Sequence, residues 1–360
     1  MRTINDCFDA RRNNFDIMRL AAATLVLCSH SYPLTGSPFE PVYAYLGQYD
    51  TGGGIAVTAF FIISGFLITR SAERQIARDY VAARVLRIVP ALAVVAALQY
   101  LILGPIFTTH PIPRYLVLGF DHLRTAMVFT PRFGLPGVFA DLPVPAVNGS
   151  LWTLPTEAFF YLVVGILAFA APLSRRSVLA TAIVMVFAFG ALSVAGYDAA
   201  HQGPTIFFGV QAYYAGKLGS FFFVGATCWM FRDRIKLHPI FAAIALFTLV
   251  MGVDLSPLLK ESVLLVAFPY LIFFAALWRP VALPGFHKLG DISYGTYLYA
   301  FPVQQTIAAL YGPGVTPWTL TSLALGPTLI MAWLSSRLVE RPALQLKELL
   351  RFSEKTRDVA

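Results

Sequence analysis

Charge is what this sequence has least of. Only 13% of its 360 residues are Asp, Glu, Lys or Arg, about half the share of a soluble domain, and 57% are hydrophobic. That excludes an ordinary water-soluble globule. Long polar stretches are missing as well. The apolar residues come in blocks of about 17–25, enough to cross a bilayer, and the longest loop, 104–149, is rich in proline and glycine.

Other absences narrow the chemistry. The three cysteines, Cys7, Cys28 and Cys228, lie far apart and form no CxxC, so they read as small buried hydrophobes. No H-x-x-x-H or Cys/His spacing suggests a metal, and none is expected. The chain has no glycine-rich phosphate loop: Gly52, Gly53 and Gly54 open a span and read as a turn. No internal repeat appears. Arg11 and Arg12 precede an apolar run, but Arg19 interrupts it and no small-residue cleavage site follows Cys28. The first span is therefore expected to stay in place.

Ten spans are expected, near Ile17–Tyr32, Gly53–Thr69, Ile88–Leu103, Leu151–Ala171, Val178–Gly196, Ile206–Phe231, Pro239–Val253, Val263–Trp278, Ile292–Leu310 and Trp318–Leu338. The segment Tyr115–Phe129 is apolar but carries Asp121, His122 and Arg124, and reads as interfacial or re-entrant. The fold class is an all-α polytopic membrane protein of about ten transmembrane helices. One transmembrane domain is expected over 1–345, with a short cytoplasmic tail at 346–360. With the N-terminus inside, 22 of the 27 basic residues fall on cytoplasmic segments. Arg114, Arg124, Arg132, Lys217 and Lys260 fall on the other side. This positive-inside asymmetry predicts N-in and C-in. The net charge of +8 follows from that topology and does not point to nucleic acid.

Ionisable groups inside spans cost about 2.5–3.5 kcal/mol on insertion scales and need a reason. In "FDIMRLAAATLVLCSH", Arg19 and His30 are eleven residues apart, on one helix face and about 16 Å apart along the axis. Asp16 is one turn from Arg19 and suits a pair with it. A snorkelling arginine and a satisfied core histidine would explain the two if they stood alone.

They do not stand alone. The first-span R…H pattern is followed by "FFIISGFLITR" (Phe60–Arg70) and "RVLRIVP". Further on come "GSLWTLPTEAFFYL" (Gly149–Leu162), "LGDISYGTYLYAFPV" (Leu289–Val303) and "VERP" (Val339–Pro342). In this order they resemble the acyltransferase-3 family of bacterial membrane O-acyltransferases, along essentially the whole chain. Two departures stand out. The family often has a histidine shortly after the late Y-L pair, where this chain has Ala300 and Phe301. Some relatives carry a fused SGNH-type hydrolase, and none is expected here.

The resemblance implies transfer of an acyl group, usually acetyl from cytoplasmic acetyl-CoA, to a hydroxyl of a glycan or lipid-linked sugar. Acceptors of this kind include lipopolysaccharide and exopolysaccharide. It also implies a multi-pass protein of the bacterial inner membrane, in contact with lipids. His30, alone inside a confident span, is the expected catalytic base, and Glu157 its orienter or an acceptor-binding group. Arg19, Ser64, Gly65, Arg70, Arg84 and Arg87 are the expected acyl-CoA contacts, the arginines because guanidinium binds phosphate bidentately. Gly65 would admit a neighbouring helix or the pantetheine arm. Ser64 would bond a helix carbonyl, orient the thioester or carry the acyl group. Trp152, Tyr161, Ser293 and Tyr294 are expected at the acceptor, Trp152 alternatively as an interface anchor. A transporter or flippase would share the topology, but would normally show repeats or deep proton-relay acids.

Overall fold

The computed structural model describes residues 1–10, 12–47, 49–170, 173–198, 201–252, 255–278 and 291–346. Lys347–Ala360, most of the expected tail, lie outside them. Each of the ten segments expected to span contains a helix, but the expected Ile206–Phe231 opens with a small hairpin, Thr205–Phe207 paired with Val210–Gln211, and is helical only from Ala212; Ala171 and Val253, which end two other expected spans, lie outside the described residues. The helices are α1 (Phe15–Leu34), α2 (Gly52–Arg74), α3 (Ala77–Leu98), α4 (Thr153–Phe169), α5 (Arg175–Val194), α6 (Ala212–Met230), α7 (Pro239–Met251), α8 (Pro257–Leu277), α9 (Ser293–Tyr311) and α10 (Pro317–Ser335). Among the described residues, six helical stretches are long and apolar enough to cross a membrane. These are Gly52–Arg74, Ala77–Phe107, Gly149–Phe169, Arg175–Val194, Leu259–Leu277 and Pro317–Leu346. The architecture is an all-α, multi-pass one. Gly52, Gly53 and Gly54, expected as a turn, are already the first turn of α2.

The chain divides into two compact units. The first comprises Met1–Val26, Phe39–Arg74 and Phe159–Lys288, the second Leu27–Pro38, Gln75–Ala158 and Leu289–Ala360. In the first unit α2 and α6 meet backbone to backbone. A methyl group at Gly65 would collide with the Phe222 carbonyl oxygen, and one at Gly225 with that of Ile62. Glycines on both helices thus let van der Waals packing hold the pair at minimal separation. Below this crossing Phe66 gathers Phe8, Phe15, Trp229 and Phe273 at ring-centroid distances of 4.9–5.6 Å. Arg2–Thr3 pairs antiparallel with Lys236–Leu237.

In the second unit α9 carries polar residues along a buried length, and each finds a partner inside the protein. Gln304 donates to the Leu27 carbonyl at 2.8 Å and to Ser31 Oγ at 2.7 Å. Gln305 donates to the carbonyls of Val144 and Ala146. Gly295 brings α10 close, since a methyl there would lie 2.8 Å from Ala332 Cα. α3 continues through a π-helical turn, Gln99–Leu103, into Gly104–Phe107. The segment expected to be interfacial forms a helix, Ile112–Gly119, and a 3₁₀ stretch, Phe120–Met127. Tyr115 and Tyr100 tie it to the π turn by donating to the carbonyls of Tyr100 and Leu116 at 2.7 and 2.6 Å. His122 Nε2 lies 2.9 Å from Gln99 Oε1. Asp121 pairs with Arg124 and Arg132 at 3.0 and 2.6 Å, and the Arg124 hydrogen bond holds its carboxyl below the usual range.

Candidate active site

His30 sits in the penultimate turn of α1, and the next residue fixes that turn. Ser31 Oγ receives hydrogen bonds from Gln304 on α9, at 2.7 Å, and from Thr321 on α10, at 2.8 Å. Leu27, one turn earlier, packs with Ala300 and Ala324 of the same two helices. The helix face is therefore locked by polar and apolar contacts together. The His30 ring meets Phe301 edge to face at 5.3 Å. Phe301 stands where a second histidine was looked for and not found. Gly149 leaves room for it, as a methyl there would come within 2.7 Å of the Phe301 ring. His30 Nδ1 is buried and has no hydrogen-bond partner among the described residues. Burying an imidazole nitrogen unsatisfied costs free energy unless something else bonds it.

The start of α4 is pinned to α9 beside this turn. Tyr297 donates to the Ser150 carbonyl at 2.6 Å, and its oxygen lies 2.7 Å from Thr153 Oγ1. Glu157 lies one turn further, within electrostatic range of Tyr297. Pro155, in the first helical turn, removes no intrahelical hydrogen bond. Trp152 ends the short 3₁₀ turn before α4 and is half-buried.

The basic pair on α3 divides. Arg84 lies over the Tyr80 ring at 5.8 Å. Arg87 is held by two carboxylates: Nη1 donates to Glu340 Oε2 at 3.2 Å, and Nη2 to Asp291. Asp291 also accepts from the backbone N–H of Ser293 at 3.0 Å and from its hydroxyl. Tyr294, buried, donates to the Ile88 carbonyl at 3.0 Å. Arg87, expected as an acyl-CoA contact, is thus already bound by carboxylates from two sides. Ser293 and Tyr294, expected at the acceptor, have their hydroxyls engaged inside the protein. Sequence reasoning gave Asp291 and Glu340 no role, although both stand in motifs it singled out. Their signal was two acids next to spans in a chain with few acids.

The remaining expected residues lie in the first unit. Arg70 lies over the rings of Phe8 and Trp229, at 5.1 and 5.9 Å from their centroids. Its buried Nε has no hydrogen-bond partner among the described residues. It lines a cavity of about 520 Å³ with Phe8, Ala10, Asn13, Phe15, Asp16 and Leu67. Arg19 is half-buried on α1, Ser64 is buried on α2, and Tyr161 is buried on α4. Of the two neighbours expected for Gly65, the backbone of α6 occupies the space. No group of three or more metal-ligating side chains occurs among the described residues.

The described residues thus form a polytopic helical protein in which one imidazole nitrogen, His30 Nδ1, is buried without a hydrogen bond on a locked helix turn. The chain belongs to the acyltransferase-3 family, whose model, described as an acyltransferase domain, matches residues 12–337. It is 32% identical to an O-acetyl transferase of Shigella phage Sf6, over 92% of this chain and 96% of that one. It is 30% identical to nodulation protein 10 of Rhizobium leguminosarum bv. viciae, over 95% and 96%. It is also 27% identical to the exopolysaccharide production protein ExoZ of Rhizobium meliloti, over 83% and 92%. No solved structure matches.

Proposed function

We propose that this acyltransferase is an O-acetyltransferase of the bacterial inner membrane. It crosses the membrane ten times, N-in and C-in, and moves acetyl from cytoplasmic acetyl-CoA to a hydroxyl of a cell-surface or lipid-linked glycan. The observation that carries the reading is the unpartnered Nδ1 of His30 on a turn locked by Ser31, Gln304 and Thr321. A nitrogen so placed accepts a proton from a bound hydroxyl. As the acceptor oxygen attacks the thioester carbonyl, a C–O bond forms and the hydroxyl proton passes to imidazole. The C–S bond then breaks, and the proton returns to the departing CoA thiolate. The transfer is balanced with no metal and no redox step.

Glu157 is proposed to orient His30 or to bind the acceptor, with Trp152 and Tyr161 as acceptor contacts. Arg70, with its cavity and unpartnered Nε, is the best supported donor contact, and Arg19, Ser64 and Arg84 are further ones. Arg87, Ser293, Tyr294 and Gly65 are proposed to position helices. The test uses purified protein, labelled acetyl-CoA and a glycan-bearing membrane extract. Label should move to glycan. His30→Ala should lose at least about 100-fold in transfer while retaining CoA binding. Full transfer by folded His30→Ala would remove the mechanism. Absence of acetyl-CoA turnover by the folded wild type would favour a transporter.

A further inference from the structure

The first unit has a second, larger cavity of about 670 Å³ that the chemistry above does not use. Tyr43, Gly47 and Tyr49, shortly before α2, the N-terminal ends of α6 and α8 and the C-terminal end of α5 surround it. Arg70 and its cavity lie at the other end of α2. The cavity therefore opens on the face that the charge pattern makes extracytoplasmic.

Its lining is unusual for a membrane protein. Tyr43, Tyr49, Tyr197 and Tyr213 contribute four phenol rings, and Asp198, Lys260 and Glu261 three charges. Tyr49 is wedged between two ammonium groups, 5.1 Å from Lys217 Nζ and 5.4 Å from Lys260 Nζ, measured to the ring centre. Lys217 is balanced by Asp50 at 2.9 Å, and both are largely buried. Lys260 donates to the Leu46 carbonyl at 3.1 Å, and its ammonium has two further protons. Glu261 is more than nine-tenths buried, and the Tyr49 hydroxyl is a hydrogen-bonding neighbour of its carboxylate. A carboxylate offers about four lone-pair sites, so beside Tyr49 it keeps capacity to accept from a ligand hydroxyl.

We infer that this cavity is a binding subsite for a neutral pyranose ring. The charges argue against an anion: Lys217 and Lys260 are set against three carboxylates, Asp50, Asp198 and Glu261. The rings of Tyr43, Tyr197 and Tyr213 offer apolar surface against the C–H side of a sugar, and their hydroxyls bond its rim. Glu261 accepts from a ring hydroxyl and Lys260 donates to a ring oxygen. The volume falls within the roughly 300–1,000 Å³ of small-molecule sites. The inference rests on the glycan reading above and specifies where a sugar of the acceptor is held.

The test is saturation-transfer NMR on the full chain in nanodiscs. The probes are methyl β-glucopyranoside, methyl β-galactopyranoside and N-acetylglucosamine, with glucuronate as the anionic comparison. At least one neutral probe should bind, and bind better than glucuronate. Glu261→Gln should weaken that binding about tenfold. Gly190 lines the cavity and has nothing within 4 Å of its Cβ position, so Gly190→Trp should block binding without a clash in the fold. No binding by any neutral probe overturns the inference, as does binding unchanged in both variants. The two readings fail separately. Sugar binding lost in both variants, in a protein that never transfers acetyl, would sink the enzyme reading and leave the subsite. Acetyl transfer with sugar binding indifferent to Glu261 and Gly190 would do the reverse.

Discussion

Arg87 and Glu340 stand 253 positions apart in sequence and meet at 3.2 Å, with Asp291 closing on the same guanidinium. Glu340 is almost fully buried. One arginine therefore ties the middle of α3 to the entry of α9 and to the π turn Ser336–Glu340 after α10. Removing it leaves two carboxylates facing each other. Arg87→Ala is expected to destabilise the protein by about 3–5 kcal/mol, as for other broken buried pairs. The double variant Arg87→Met, Glu340→Met should cost clearly less than the two single changes added. Thermal unfolding in detergent across this mutant cycle measures the coupling. Additive effects would show that the bridge contributes nothing.

Gly65→Ala should disrupt the α2–α6 crossing, since the methyl meets the Phe222 carbonyl oxygen on a rigid helix. A loss of about 1–3 kcal/mol is expected from overpacking. Gly326→Ala, with nothing within 4 Å of the added methyl, should be close to neutral or slightly stabilising. Equal melting temperatures for the two variants would contradict the packing described for Gly65.

Gly149→Ala should act on chemistry. Its methyl would come within 2.7 Å of the Phe301 ring, which packs against His30. Displacing that ring should lower the acetyl-transfer rate more than it lowers stability. Turnover and melting temperature, measured on one preparation, separate the two. Gly149→Ala, Phe301→Leu should recover part of the loss by giving the methyl space.

Asp50→Asn should leave Lys217 buried with its charge uncompensated. Destabilisation of about 3–5 kcal/mol is expected, with partial rescue by Asp50→Asn, Lys217→Met. Reduced folded yield and lower melting temperature would register it. A stable, fully folded Asp50→Asn would mean that the pair is dispensable.

Reporter fusions after Ala360 and within the loop 136–145 should report opposite sides of the membrane, the loop outside. The asymmetry of basic residues, 22 against 5, requires this. Matching sides would overturn the N-in, C-in reading.

The sequence by itself determined the helices. Hydrophobic runs must satisfy their own backbone in lipid, and each of the ten expected segments contains a helix for that reason. Its errors fell at the ends. α3 begins at Ala77 instead of Ile88 and α8 at Pro257 instead of Val263, because the charged first turns dropped out of an apolar window. The motifs also pointed to His30, since an ionisable group in an apolar helix is rarely accidental. Only the tertiary structure decided what those motifs touch. It closed Asp291 and Glu340 around Arg87, put Phe301 against His30, and filled the space before Gly65 with α6. It also assembled a tyrosine-lined cavity from the ends of α5, α6 and α8 and the segment before α2. The reason is physical. Hydrophobicity and charge are carried by each residue and read along the chain. Ion pairing, ring contact and close backbone approach arise between residues remote in sequence, and exist only once the helices have packed.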